Sequence, residues 1–320
     1  MAPVRQAITD GGDPGVVLAG AGAVSQENRD SRRIGRAQPP AGYGPVLPSD
    51  RHPLRHIAPL AHSRLVSVEF RLMEDSYSYP APDVAVFADG AALASGAAGL
   101  IAGFIRDHAN NDPVTVAMAG GSTPVATYRC LAEMDIPWEK VCAWVGDERY
   151  VPPDHPDSNG AMVGRLLMDR TGARFLRVPW KEGRSAERAA AIYEEELLSA
   201  MAADAGGPRP DLVLVGMGGD GHTLSLFPEA PALEITDRWY VADRVEAQHS
   251  WRLTATYPLV HRAKQIFVLA SGVGKAAALA ESLNPVGDRI LPARRLMAGE
   301  APVTWLVDRA AAIFLPDEWT

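Results

Sequence analysis

Residues 211–228 constrain the fold of this chain more than any other segment, because an apolar strand pattern there leads into a loop dense in glycine. The segment reads DLVLV at 211–215 and GMGGDGHTLSLFP at 216–228. An apolar run rich in valine is typical of a strand that is buried on both faces, as in a parallel sheet. Ligands of open parallel sheets bind where the strands end. The segment therefore predicts a parallel sheet with a ligand site at the end of this strand.

Strand and helix patterns alternate from about residue 82 onward, which favours the α/β class, with a mainly parallel sheet and helices on both of its faces. No linker divides residues 73–320, so we expect them to form a single domain. The predicted strands are 84–87, 114–118, 141–145, 212–217, 239–242, 251–257, 265–270 and 303–307. The predicted helices are 90–106, 124–133, 159–168, 186–202 and 274–283.

Residues 1–72 differ in composition from the rest of the chain. They are rich in Gly, Pro, Arg and Ser and show no sustained periodicity, so we expect a mostly disordered extension. Because Met73 opens the regular part, a start codon assigned too far upstream is a second interpretation. A flexible regulatory arm is the third.

Composition excludes several classes of function. The net charge of −8 argues against a general nucleic-acid surface. The uncharged stretch 91–105 is shorter than the ~20 residues that span a bilayer, so no membrane partner is expected. Two cysteines, Cys130 and Cys142, are too few for a disulfide framework, which favours the cytoplasm. No residue spacing indicates a metal site.

Asp220 and His222 are the candidate catalytic residues. A carboxylate two residues from an imidazole can orient the ring and stabilise its cationic form, which suits proton transfer. Gly218 and Gly219 beside them would let the backbone approach a ligand closely. A purely structural Asp-x-His pair in an ordinary glycine-rich turn is the alternative interpretation.

A second glycine turn, GGSTP at 120–124, follows the predicted strand 114–118. Pro124 suits the first position of a helix, and Ser122 or Thr123 can cap that helix. The N–H groups at such a helix start, beside Gly120 and Gly121, bind anions, and the Ser122 hydroxyl adds a donor. A phosphate cradle and an ordinary capped helix are both compatible with this pattern.

Three cationic side chains are candidate phosphate ligands. Arg149 follows a predicted strand, Arg252 opens another, and Lys275 lies in the first turn of a predicted helix, where the dipole disfavours a cation. A surface ion-pair cluster of Arg149 with Asp147 and Glu148, and a snorkelling lysine at 275, are the alternatives. Four strand-end loops of one sheet would thus surround a pocket for a phosphorylated metabolite with one acid/base pair.

These motifs resemble the 6-phosphogluconolactonase family in order and spacing, over about residues 82–312. The segments that carry the resemblance are GGSTP at 120–124, GDERYVP at 146–152, SN at 158–159, GMGGDGHTLSLFP at 216–228, the strand at 252–254 and GVGK at 272–275. One departure is Leu224, where the family usually has Ala, and we expect its larger side chain to crowd a helix behind the loop.

The resemblance implies a three-layer α/β/α fold with a Rossmann-like sheet, and 73–320 as the catalytic domain. It implies hydrolysis of 6-phospho-D-glucono-1,5-lactone to 6-phospho-D-gluconate in the oxidative pentose phosphate pathway, without a cofactor. His222 would be the general base and Asp220 its partner. Arg149 and Lys275, with Arg252 and Ser122, would hold the phosphate, and N–H groups of Gly120 and Gly121 or of 218–221 would stabilise the oxyanion.

Two other functions remain compatible with the motifs. Glucosamine-6-phosphate deaminase shares the fold and the Asp-Gly-His loop, but ends that loop in Asn-Glu-Pro, where this chain has Phe227 before Pro228. A non-catalytic sugar-phosphate sensor would need a DNA-binding domain, and residues 1–72 show no helix-turn-helix pattern. The sequence does not fix the oligomeric state; a monomer is compatible with it.

Overall fold

The computed structural model describes residues 79–109, 113–245, 250–285 and 289–319. The predicted extension 1–72 and the start at Met73 lie outside the described residues. The strands are β1 Asp83–Phe87, β2 Val114–Met118, β3 Val141–Val145, β4 Asp147–Arg149, β5 Arg174–Leu176, β6 Ala202–Asp204, β7 Gly207–Arg209, β8 Leu212–Gly216, β9 Tyr240–Val245, β10 Ser250–Ala255, β11 Gln265–Ala270 and β12 Val303–Asp308. The helices are α1 Gly90–His108, α2 Ser122–Ala132, α3 Asn159–Val163, α4 Asp169–Thr171, α5 Ala186–Ala200, α6 Tyr257–Val260, α7 Ala276–Leu283 and α8 Pro292–Arg295.

A seven-stranded sheet forms the middle of the fold, in the order β1-β12-β11-β8-β2-β3-β5. All of its strand pairs are parallel, which confirms the predicted α/β class. From β2 the chain winds outward through β3 to β5, and from β8 it winds the other way through β11 to β12. The direction therefore reverses between β2 and β8. In such sheets the reversal opens a crevice at the carboxyl ends of the two strands.

The side chains of β8 show how the sheet is buried on both faces. Leu212 and Leu214 point into a core shared with α1 and α2, whereas Val213 and Val215 point into a second core shared with α5 and α7. All four side chains are fully buried. A strand with an apolar residue at every position is stable only between two layers, so the predicted three-layer architecture is confirmed.

The strands predicted at 239–242 and 251–257 do not belong to this sheet. They correspond to β9 and β10, which form a separate antiparallel sheet in the order β4-β10-β9. Arg252 consequently lies within a strand of this small sheet, not at a strand end of the large one. The expectation of four strand-end loops from one sheet was wrong on this point. Strand β4 directly follows β3 after Gly146, and its three polar residues gave no strand signal.

Several helix boundaries also differ from the prediction. The helix expected over 159–168 is α3 followed by a π-helical turn over Gly164–Met168. The helix expected from 274 begins as a 3-10 turn over Val273–Lys275 before α7. Strand β5 and the two strands of the β6–β7 hairpin, each three residues long, were not predicted. Elements this short lack the periodicity that sequence patterns depend on.

Candidate active site

A pocket of about 240 Å³ lies at the carboxyl ends of β2 and β8, in the crevice where the winding reverses. Of the predicted site residues, eight line it and two, Gly219 and Asp220, do not. The eight are Gly120, Gly121, Ser122, Arg149, Gly218, His222, Arg252 and Lys275. Further lining residues were not predicted from the sequence: Asp147, Asn159, Leu224, Ser225 and Phe227.

His222 reaches the pocket with its ring held by Asp220. The His222 Nδ1 atom lies 2.6 Å from Asp220 Oδ1, and the His222 backbone N–H donates to the same oxygen at 3.2 Å. Burial raises the pKa of Asp220, but these hydrogen bonds and the charge of the ring outweigh it and leave that pKa below its usual value. The His222 side chain is 31% exposed. The pair is therefore an ionised carboxylate that orients an imidazole open to the pocket.

The imidazole lies against the backbone of Gly218, where no larger residue fits. A Cβ atom at Gly218 would stand 2.1 Å from His222 Nδ1 and 2.3 Å from Asp220 Oδ1. The loop is closed by two hydrogen bonds, from Gly218 N to His222 O at 2.8 Å and from Gly221 N to Gly218 O at 3.1 Å. These two N–H groups are engaged within the loop. Fewer N–H groups of residues 218–221 are therefore available to stabilise an oxyanion than the sequence led us to expect.

Phe227 packs against the imidazole ring of His222. The centroids of the His222 and Phe227 rings are 4.4 Å apart, with an angle of 35° between their planes. Tilted aromatic pairs at this separation are attractive. The imidazole is therefore confined by Asp220 at its Nδ1 edge, by Gly218 and by Phe227.

The first turn of α2 faces the pocket without a side-chain cap. Gly121 is the N-cap residue with φ +95°, and neither the Ser122 nor the Thr123 side chain caps the helix. Ser122 is its first residue and Pro124 its third, so the expected capping and the expected position of Pro124 were wrong. The N–H groups of an uncapped first turn carry partial positive charge toward whatever lies before them. This end of α2 is suited to an anion or to a developing oxyanion.

Arg149 and Arg252 lie opposite each other on the antiparallel pair β4–β10. Like charges in directly opposed positions destabilise a sheet. Burial, and then the charge of Arg149, lower the pKa of Arg252, while the carboxylate of Asp147 opposes the shift. Arg149 Nη1 donates to Asp157 O at 2.8 Å and to Asn159 Oδ1 at 3.2 Å. Two guanidinium groups so placed form a site for an anion with several oxygens.

Asp147 and Glu148 do not form the surface ion-pair cluster that was one interpretation, because both are buried. The Glu148 carboxylate accepts hydrogen bonds from three backbone N–H groups, at Arg149, Asn159 and Gly160, and from the Ser158 hydroxyl. Burial raises the pKa of Glu148, and these hydrogen bonds oppose that shift. Glu148 thus joins β4 to the start of α3.

Lys275 reaches the pocket from the 3-10 turn over Val273–Lys275. The turn is fixed by Asp308, whose carboxylate accepts from the Ser271 hydroxyl at 2.5 Å and from Gly272 N at 3.0 Å. Burial raises the pKa of Asp308, and these hydrogen bonds more than offset it and lower that pKa. Lys275 and the two arginines therefore converge on one pocket from two different sheets.

Leu224 was expected to crowd a helix behind the loop. This expectation was wrong, because no α-helix of the described chain follows β8 directly. The described chain turns back at Thr223 and Leu226, and Leu224 adopts φ +52°. Its side chain lies over Gly146, where a Cβ atom would stand 2.8 Å from Leu224 Cδ2. The larger residue is accommodated at the junction of β3 and β4.

Within the described ranges, no helix has the length and apolar character needed to cross a membrane. In the same part of the chain, His, Cys, Asp and Glu side chains form no group of three or more that is arranged to hold a metal ion.

Comparisons with known proteins agree with the geometry. The sequence profile of the family described as "Glucosamine-6-phosphate isomerases/6-phosphogluconolactonase" matches residues 88–305. A 6-phosphogluconolactonase of Synechocystis sp. is 38% identical over 200 residues, which are 62% of this chain and 82% of the relative. Another, of Nostoc sp., is 37% identical over 201 residues, with the same coverage of both chains. The solved structure of 6-phosphogluconolactonase from Trypanosoma brucei superposes with a TM-score of 0.69 at 26% identity, covering 75% of this chain and all of the other.

Proposed function

We infer the function of this chain from its family, because it belongs to the glucosamine-6-phosphate isomerases/6-phosphogluconolactonases. Within that family it hydrolyses 6-phospho-D-glucono-1,5-lactone to 6-phospho-D-gluconate. The relatives from Synechocystis sp. and Nostoc sp., each matched over 82% of its length, are 6-phosphogluconolactonases. The observation that carries the assignment is one pocket that combines an Asp220-backed imidazole with Arg149 and Lys275.

His222 acts as the general base. The hydrogen bond to Asp220 assigns the ring proton to Nδ1, which leaves Nε2 to take a proton from water as that water attacks the lactone carbonyl. The lowered pKa of Asp220 keeps its carboxylate ionised, so it stabilises the imidazolium that forms. Because a lactone is an activated ester, water and a base suffice without a covalent intermediate.

The phosphate group binds at Arg149, Arg252 and Lys275, with the Ser122 hydroxyl as a further donor. Charge-assisted hydrogen bonds of this kind are strong and directional, so the phosphate fixes the position of the ring at the other end of the substrate. The oxyanion formed at the carbonyl is stabilised by N–H groups at Gly120 and Gly121, which line the pocket beside the uncapped start of α2.

The deaminase alternative is not favoured. Phe227 occupies the position before Pro228 and packs on the His222 ring. A phenyl group cannot transfer a proton, so the residue that a deaminase would use there is absent.

Cys130 and Cys142 are both free thiols, which fits the reducing cytoplasm.

The test is hydrolysis of freshly prepared 6-phosphogluconolactone, followed as acid release at constant pH with the spontaneous rate subtracted. We expect His222→Asn to lower kcat by about 10²–10⁴-fold, the usual effect of losing a general base. His108→Asn, on α1 and stacked on Phe104, is the matched control and should retain full activity. Wild-type protein that released acid no faster than buffer, or that instead deaminated glucosamine 6-phosphate, would contradict the proposal.

A further inference from the structure

Hydrogen bonds join three buried polar side chains that line the pocket. Ser225 Oγ donates to Asp147 Oδ2 at 2.7 Å. Asn159 Nδ2 donates to the Asp147 backbone oxygen at 2.8 Å and lies 3.4 Å from Asp147 Oδ1. Arg149 Nη1 in turn donates to Asn159 Oδ1 at 3.2 Å. The side chains of Ser225, Asn159 and Asp147 are all buried. Asp147 is thus the junction between a serine on one side and an arginine contact on the other.

The serine end of this series of hydrogen bonds belongs to the loop that carries His222. Ser225 is three residues beyond His222, and its backbone N–H also donates to Thr254 Oγ1 on β10 at 3.3 Å. The other end belongs to the small antiparallel sheet, because Asp147 and Arg149 are both in β4. The loop after a strand of the large sheet is therefore fastened to the small sheet through Asp147.

A carboxylate is an unexpected residue in a pocket that otherwise collects cations for an anionic ligand. Burying a charged group is costly unless hydrogen bonds compensate it. Asp147 lies opposite Thr254 on β10, and its charge favours the protonated guanidinium of Arg252. The proposed chemistry uses Asp147 neither as base nor as phosphate ligand.

We propose that Asp147 is a positioning residue that sets the separation between the His222 imidazole and the phosphate-binding group of Arg149. One carboxylate oxygen holds the His222 loop through Ser225, and the same residue holds Asn159, which orients Arg149. This inference rests on the proposed lactonase function.

Two lactones should respond differently to a change in the separation between His222 and Arg149. A lactone with a 6-phosphate is held at its phosphate end, so its carbonyl meets the base only if the distance between the two sites is right. A misplacement of ~1 Å can lower the rate by about 10²-fold. D-glucono-1,5-lactone has no phosphate, so its carbonyl can bind beside His222 whatever the position of the loop that carries His222. Its hydrolysis does not depend on the separation.

The experiment compares kcat/KM for both lactones in the wild type, Asp147→Asn and Ser225→Ala. An amide at 147 removes the charge to which Ser225 Oγ donates, and a hydroxyl that accepts from the amide NH₂ instead makes a weaker, neutral hydrogen bond, while Asn159 Nδ2 keeps its bond to the backbone oxygen of residue 147. We expect kcat/KM for the phosphorylated lactone to fall roughly 10–100-fold in each variant, with less than a twofold change for the other lactone. Inhibition by inorganic phosphate should be unchanged, because Asn159 keeps its bond to the backbone oxygen of residue 147 and so still orients Arg149.

The control is Glu194→Gln. Glu194 is also a buried carboxylate that accepts several hydrogen bonds, from Arg238, Trp239 N and Tyr240 N, but it does not line the pocket. It should lower the unfolding midpoint without changing the ratio of the two kcat/KM values. The double variant Asp147→Asn/Ser225→Ala should be no worse than the poorer single variant, as expected for two members of one contact.

An equal loss on both lactones would overturn the proposal, because it would mean that Asp147 contacts the sugar ring or only maintains the fold. Retention of full activity in Ser225→Ala would also overturn it, and this variant decides the matter if Asp147→Asn does not fold. A wild type inactive on the phosphorylated lactone would instead refute the proposed function itself.

Discussion

The large parallel sheet and the small antiparallel sheet contribute different things to one pocket. The strands β3, β8 and β11 of the large sheet are mostly apolar, and this sheet delivers ligand-binding loops where its strands end. The small sheet carries its functional groups within the strands, with Asp147 and Arg149 on β4 and Arg252 on β10. The interiors of the large-sheet strands therefore contribute to stability, whereas substrate recognition is shared between the loops at their ends and the strands of the small sheet.

The largest expected effect is on stability, from a change within the large sheet. Leu214→Ala removes a fully buried side chain from the middle of β8 and should lower the free energy of unfolding by about 2–5 kcal/mol. Urea denaturation measures this loss, and kcat of the folded protein should stay within about twofold. Leu100→Ala, on the exposed side of α1, is the control and should cost less than ~0.5 kcal/mol. A large fall in kcat for Leu214→Ala would show that the two roles are not separable.

The next effect is on substrate recognition, from the small sheet. Arg149→Ala removes hydrogen bonds to a charged group worth about 1.5–3 kcal/mol, which corresponds to a roughly 10–150-fold rise in KM. The unphosphorylated lactone should be unaffected. Steady-state kinetics on both lactones measure the difference, with Arg170→Ala as control, since Arg170 pairs with Glu133 on the exposed surface. An unchanged KM for the phosphorylated lactone would remove Arg149 from the phosphate site.

The smallest effect concerns the opposed arginines. Arg252→Gln relieves the repulsion by Arg149, so without phosphate it should leave the free energy of unfolding unchanged or raise it by less than ~1 kcal/mol. The same variant should raise KM, and added inorganic phosphate should stabilise it less than the wild type. Thermal unfolding with and without phosphate measures both. Destabilisation beyond ~1 kcal/mol would mean that Arg252 holds the small sheet together by packing.

The two sheets also differ in how far the sequence predicts them. The predicted strands 114–118, 141–145 and 265–270 match β2, β3 and β11 residue for residue, because burial on both faces leaves a continuous apolar run. Strand β4 is three polar residues long and was missed, and β9 and β10 were assigned to the wrong sheet. Their alternation indicates strands but does not indicate which strands they pair with.

The residues of the candidate site also differ in how far the sequence predicts them. Glycine-rich strand ends and the spacing of Asp220 and His222 were readable in the sequence, and the structure brings His222 together with Arg149 and Lys275. Asp147, Asn159 and Ser225 were not chosen, although all three lie in the motifs GDERYVP, SN and GMGGDGHTLSLFP. Their importance depends on contacts between segments 78 and 12 residues apart. A single sequence does not reveal such contacts.

The reversal of winding between β2 and β8 has a consequence for the whole family. The cleft is produced by the path of the backbone, so it persists whichever side chains surround it. A scaffold of this kind can exchange its chemistry by replacing a few residues around a permanent opening. The family's twofold description, isomerases of an amino-sugar phosphate and lactonases of a sugar-acid lactone, is the outcome such an architecture allows.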